Sequence, residues 1–134
     1  MLKLVSESSI EPVSVADFKS FIRVESTDST AEDAMLASFL TAARKEAENI
    51  TKRSLVTTTW QVKMDVFDNS TQSIELPRPP LSTASTNVSI TYVEDTTAGA
   101  STTVASTVFT VDPDSEPGRV YPAYGSEWPD TYRD

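Results

Sequence analysis

At Leu55 the spacing of apolar residues changes from three-and-four to two, and that change divides the chain into a helical part and a β part. Before it, Val15, Phe18, Phe21 and Ile22 recur at helical spacing, and so do Met35, Leu36, Phe39, Leu40, Ala43, Ala47 and Ile50. After it, Val56, Trp60, Val62, Met64 and Val66 alternate with Thr57, Thr59, Gln61, Lys63 and Asp65, the signature of a half-buried strand. The chain has 134 residues, 38% hydrophobic and 23% charged, so one domain with one core is expected over residues 1–134.

The local signals refine this division. Ser14 and Asp17 form an approximate capping box at the start of a helix predicted over 15–23. The polar run Glu25-Ser26-Thr27-Asp28-Ser29 reads as a turn, and Thr30 with Asp33 repeats the capping pattern. A second, uninterrupted helix is predicted over 30–53, with Leu36, Phe39, Leu40 and Ala43 buried and with Lys52 and Arg53 in its last turn. Strands are expected over 55–66, 74–76, 88–92 and 108–111, with a turn at Asp68-Asn69-Ser70, a stiff extended break at Pro77-Arg78-Pro79-Pro80 and a loop over 94–101. Residues 112–134 are broken by proline and read as irregular. The expected fold is α+β, with a two-helix N-terminal portion (14–54) packed beside a small, mostly antiparallel sheet (55–111) and a Pro-rich tail (112–134).

Charge and composition remove much chemistry. With 11 Lys and Arg against 20 Asp and Glu the formal net charge is -9, which opposes a phosphate-coating nucleic-acid binder. The acidity is concentrated: residues 14–54 carry six basic and seven acidic side chains, residues 55–134 four and eleven. There is no cysteine and no histidine, so thiolate metal sites, disulfides, cysteine nucleophiles and the commonest general base are excluded. No apolar run reaches the roughly 18 residues of a membrane span or the length of a signal peptide. Asn49, Asn69 and Asn87 each open a glycosylation-type triplet, which abundant Ser and Thr produce by chance.

Each remaining motif has a plain structural reading. Asp112-Pro113-Asp114-Ser115-Glu116 offers alternating carboxylates, but as a calcium loop it places Pro117 where glycine is needed and Ala123 where a bidentate glutamate is needed, so a solvated acidic turn is expected. No catalytic residue, metal ligand or cofactor site is assigned, and the chain is expected not to be an enzyme. Arg44, Lys45, Lys52 and Arg53 form a basic strip only if Glu46 and Glu48, which interleave with them, are ignored. Pro77-Arg78-Pro79-Pro80 contains a P-x-x-P pattern and reads first as a rigid connector between strands. Trp128 and Tyr132 lie in the proline-broken tail, where an aromatic needs a partner to bury it. The candidate interface residues are therefore Pro77, Arg78, Pro79, Pro80, Trp128 and Tyr132.

The order of motifs resembles one family. Pro12-Val13-Ser14 opens a short helix, Phe21-Ile22-Arg23-Val24 precedes an acidic turn, and Ala42-Ala43-Arg44-Lys45-Glu46-Ala47-Glu48 leads to Thr51-Lys52-Arg53-Ser54-Leu55. Thr59-Trp60, Leu76-Pro77-Arg78-Pro79-Pro80-Leu81, Ile90-Thr91-Tyr92-Val93, Pro117-Gly118-Arg119-Val120 and Trp128-Pro129 follow in turn. Over residues 11–130 this series is similar to the tailed-bacteriophage head-tail connector (adaptor, head-completion) family. The resemblance implies a structural virion protein of the phage neck, made in the bacterial host cytoplasm. Its implied form is a self-associating ring, dodecameric in the virion, beneath the portal protein. The ring would join the DNA-filled head to a stopper or tail-completion protein and line the DNA channel. The family implies no cofactor, no membrane and no sequence-specific nucleic acid. Relatives continue past the Trp-Pro motif with a strand, a Gly-rich turn and a C-terminal helix, so this sequence is either a short member or one piece of a longer chain. The alternatives from other classes are a small cytoplasmic nucleic-acid or regulatory binding module and a soluble enzyme.

Overall fold

The structure, a computed structural model, describes residues 1–23, 32–67, 73–82, 87–94 and 100–131. The chain divides into two compact units, one comprising Lys3–Gln61 and the other Met1–Leu2 with Val62–Asp134. Two helices and several small antiparallel sheets make the fold α+β.

In the first unit, strand β1 (Leu2–Glu7) pairs with β2 (Thr58–Val62) as a two-stranded ribbon, and just past β1 the Ser8 N–H donates to the Thr57 carbonyl at 2.9 Å. Helix α1 (Val15–Phe21) begins where the capping pattern places it. Ser14 Oγ accepts from the Asp17 N–H at 3.1 Å and donates to Asp17 Oδ2 at 2.6 Å, so one hydroxyl satisfies an otherwise orphaned helix amide. The helix stops earlier than residue 23, because Arg23 adopts a left-handed φ of 59°. Helix α2 (Asp33–Thr51) is unbroken and ends where Lys52 turns left-handed at φ 57°, so Lys52 and Arg53 lie past its last turn. Its N-cap is Glu32, without a side-chain cap bond; the expected cap at Thr30 and the turn at Glu25 to Ser29 lie outside the described residues. Lys19 of α1 is buried and ion-paired with Asp33 in the first turn of α2, which fastens the two helices together.

The buried face of α2 is not the expected one. Phe39 is 56% exposed, Ala43 is exposed, and Leu36 and Leu40 are half-buried; the residue that α2 buries is Arg44. Apolar side chains occur on opposite sides of this helix, so periodicity alone left two possible inward faces, and the ion pairs of Arg44 select one. Phe39→Ala is accordingly expected to change stability by no more than about 1 kcal/mol, since little core is lost and alanine is the better helix former. Urea titration of the dilute chain checks this; a loss of several kcal/mol would return Phe39 to the core.

The second unit is built on β7 (Gly118–Pro122), the central strand of a sheet ordered β3-β7-β6, where β3 is Ile74–Leu76 and β6 is Phe109–Asp112. Both pairings are antiparallel, with Ile74 and Val111 opposite Val120 on either side. A separate pair, β4 (Thr91–Val93) and β5 (Ser101–Thr103), is also antiparallel. The tail expected to be irregular thus supplies the middle strand. Its prolines misled: Pro122 sits at the strand end opposite Phe109, where a proline does not interrupt a ladder on both sides. Gly118 is required by close approach, since a Cβ there would lie 2.9 Å from the Leu81 side chain. Val104, Phe109, Val120 and Trp128 form the buried core, with Phe67, Ile74, Leu76, Val88, Ile90, Tyr92, Val108 and Val111 packed on it.

Candidate functional site

The most elaborate polar arrangement among the described residues surrounds Arg44, which is 7% exposed and engages three carboxylates. Its Nε donates to Glu11 Oε2 at 2.7 Å, Nη2 to Glu11 Oε1 at 3.3 Å and to Glu7, and Nη1 to Glu48 Oε2 at 2.9 Å. Glu11 also accepts from Thr41 Oγ1 at 2.7 Å, and Glu48 Oε1 accepts the Leu55 N–H at 2.7 Å. Lys45 approaches Glu7 at 3.8 Å. The guanidinium fork therefore joins the end of β1, the segment after it, α2 and the turn that leaves α2.

The basic strip read from Arg44, Lys45, Lys52 and Arg53 does not form as a surface, because Arg44 points inward to the glutamates. Sequence reasoning missed the cluster, although Arg44 and Glu48 stand at the i,i+4 spacing of a helical ion pair. Glu7 and Glu11, also four apart, carried no signal that they meet a helix some 35 residues later.

The bonds from Arg44 and then Thr41 hold the Glu11 carboxyl below its ordinary 4.5, against a smaller opposing effect of burial. Glu11 in turn raises the Arg44 guanidinium above its ordinary value, so the pair is ionised throughout the working range. A carboxylate with a lowered folded-state pKa contributes stability above its unfolded value and loses it as the pH falls through the folded one. Glu11→Gln is therefore expected to be less stable than the parent at pH 7, and the gap should close as the pH falls below about 4.5. Thermal melts across that window check the sign; a gap that widens in acid would contradict it.

The candidate interface residues fall in different surroundings. Pro77 and Pro80 are exposed and Arg78 and Pro79 half-buried, in a bend that carries the chain from β3 to Leu81 over Gly118. Arg78 has a left-handed φ of 67°, which breaks the extended path expected of this segment and of a polyproline helix. Trp128 is 4% exposed, its ring stacked on Phe67 with centroids 5.0 Å apart and planes at 7°, so it is a core residue and not a surface contact. The segment around it is irregular, but its own chain buries the ring. Tyr132 lies outside the described residues.

The acidic run at 112–116 forms a turn. Asp112 Oδ1 accepts the N–H groups of Asp114 at 3.1 Å and Ser115 at 3.3 Å, and Ser115 Oγ donates to the Pro117 carbonyl at 3.0 Å. Among the described residues no three acidic side chains gather as a metal site, and no helix is long and apolar enough to cross a membrane.

Large apolar side chains stand exposed on the helical unit instead: Ile10, Phe21, Met35, Phe39 and Ile50 are each more than half exposed. No curated protein and no solved structure matches the chain. One family model does match, described as phage gp6-like head-tail connector protein, and it covers residues 12–117.

Proposed function

Because the chain belongs to the phage gp6-like head-tail connector family, we propose that it acts as a ring of identical subunits beneath the portal, with no catalytic step. The family makes this a structural protein of the phage neck, located in the virion at the head-tail junction. The ring is dodecameric, docks on the portal protein, receives a stopper or tail-completion protein on its other side and surrounds the DNA channel. The family match over residues 12–117 carries this reading.

Two features support it. A subunit whose helical unit exposes Ile10, Phe21, Met35, Phe39 and Ile50 suits a closed assembly, in which neighbours cover apolar surface that a monomer leaves in water. The net charge of -9 suits a channel, since an acidic lining repels duplex and lets it pass without sticking. The inward turn of Arg44 weighs against a small nucleic-acid-binding module, for it removes the centre of the one basic strip in the sequence.

The test is removal of the gene from an infecting phage. Filled heads without tails, or heads that lose their DNA, are expected, with complementation from a plasmid restoring infectious particles. Normal particles without the protein would overturn the assignment.

A further inference from the structure

Among the described residues, every fully buried apolar side chain lies in the sheet unit, where Val104, Phe109, Val120 and Trp128 form the core. In the helical unit Val15, Phe18, Leu36 and Leu40 are only half-buried, and the two most deeply buried residues are both cations, Lys19 and Arg44. Lys19 is paired with Asp33, and Arg44 with Glu7, Glu11 and Glu48. The interior of this unit is therefore ionic where that of the sheet unit is apolar, and its stability depends on carboxylates that stay charged.

The Arg44 fork also holds the segment that follows β1. Over residues 8–13 the attachments are polar: the Ser8 N–H donates to the Thr57 carbonyl, and Glu11 accepts from Arg44 and from Thr41. The apolar residues of this segment, Ile10, Pro12 and Val13, are all exposed, so no apolar burial holds it in place of the fork. The other charged group facing these carboxylates is Lys45 of α2, which is itself exposed and reaches Glu7 at 3.8 Å.

We propose that the helical unit is an acid-opened module: protonation of Glu7, Glu11 and Glu48 releases the Arg44 fork, frees residues 8–13 from α2 and unfolds the helices, while the sheet unit keeps its core. A protonated carboxyl no longer balances the guanidinium, and arginine does not shed its own proton to escape, so a buried cation is left without counter-charge. The sign follows from what the cations stabilise. They favour the ionised carboxylates, so their contribution is present above the ordinary carboxyl value and is lost as the pH falls through the folded one, which for Glu11 is the lower of the two. Protonation of Asp33 acts in the same direction, since it strands the buried Lys19. The sheet unit has no such dependence. Its core carries no titratable group, its Glu75–Arg119 pair is largely exposed, and Glu94 and Asp112 accept from neutral donors. The switch belongs to the single chain and does not depend on the ring.

Both helices lie in the helical unit, so far-ultraviolet circular dichroism reports it, and the chain's two tryptophans fall one in each unit. Trp60→Phe leaves Trp128 as the sole tryptophan, whose emission reports the sheet core. As the dilute full chain is taken below about pH 4.5, most of the helical signal is expected to disappear and to return on neutralisation, while Trp128 emission keeps its neutral-pH wavelength. Coincident loss of the two signals, or earlier loss of the tryptophan signal, would overturn the separate opening. A helical signal that persists to about pH 2, where carboxylates are protonated, would overturn the switch itself. The triple variant Glu7→Gln, Glu11→Gln and Glu48→Gln imitates the protonated state at pH 7. It should already lack most of the helical signal there, with Trp128 emission unchanged in the Trp60→Phe background. Full helical signal in the triple variant at pH 7 would show that the fork is not what acid releases, and loss of the sheet signal with it would show that the two units do not open separately.

Discussion

Replacing Arg44 with methionine is expected to destabilise the helical unit by about 3 kcal/mol, although the substitution adds apolar volume at a buried position. Removing one member of a buried ionic cluster costs more than removing all of it, because the remaining charges lose their partner and keep their desolvation. Here three glutamates, with side chains 20%, 21% and 14% exposed, would lose the guanidinium that they share. Their partial exposure lets some water return, which places the cost near the lower end for buried pairs. Arg44→Lys should recover part of the loss, since an ammonium keeps the charge but cannot fork to three carboxylates from different segments. Hydrogen exchange resolves the effect by element: amides of α2 should lose protection while those of β6 and β7 keep theirs. Unchanged protection in α2 would show that the arginine does not hold the unit together.

How much of this was legible in the sequence depends on whether the signal was local. The capping box at Ser14, the helix predicted over 30–53 and the strand predicted over 55–66 are each written within a few residues; the cap stands, the helix is found as Asp33–Thr51, and the strand is shorter than expected at Thr58–Val62. β1 has no clear signal in the sequence because Leu2, Leu4 and Val5 do not alternate cleanly, and what defines the strand is its pairing with β2, some 55 residues away. β5 has the sequence Ser-Thr-Thr, which looks like a loop until Tyr92 is seen opposite Thr102. β7 was hidden between prolines, though Gly118, Val120 and Pro122 alternate with Arg119 and Tyr121 in the pattern of a strand. At the candidate site the helical stripe was visible but its inward face was not. That face is chosen by glutamates from another segment, which leave no periodic trace in α2. The resemblance in the order of motifs reached further than any single motif, because it integrates weak signals over residues 11–130, and the family model matches 12–117 of that span.

Trp128 gives the largest expected effect of any apolar truncation in the second unit. Its ring lies on Phe67, and Phe67 meets Tyr92 edge-on with centroids 6.4 Å apart and planes at 64°, so the three rings are linked through Phe67. Trp128→Ala removes a ring that is almost wholly buried and leaves a cavity that neighbouring segments fill only in part. A loss of about 4 kcal/mol is expected from such truncations, close to the whole stability of a small unit. Trp128→Phe keeps a ring to stack on Phe67 and should lose much less, about 1.5 kcal/mol. The measurement is a melt of the dilute chain, below any concentration at which copies associate. That condition separates the two roles an aromatic in an irregular segment can have. If Trp128 served chiefly to meet a neighbouring subunit, the dilute alanine variant would melt with the parent and differ only in assembly. A core role predicts the reverse: the dilute variant loses its cooperative transition in the sheet unit, with hydrogen exchange in β6 and β7 collapsing while α2 keeps its protection.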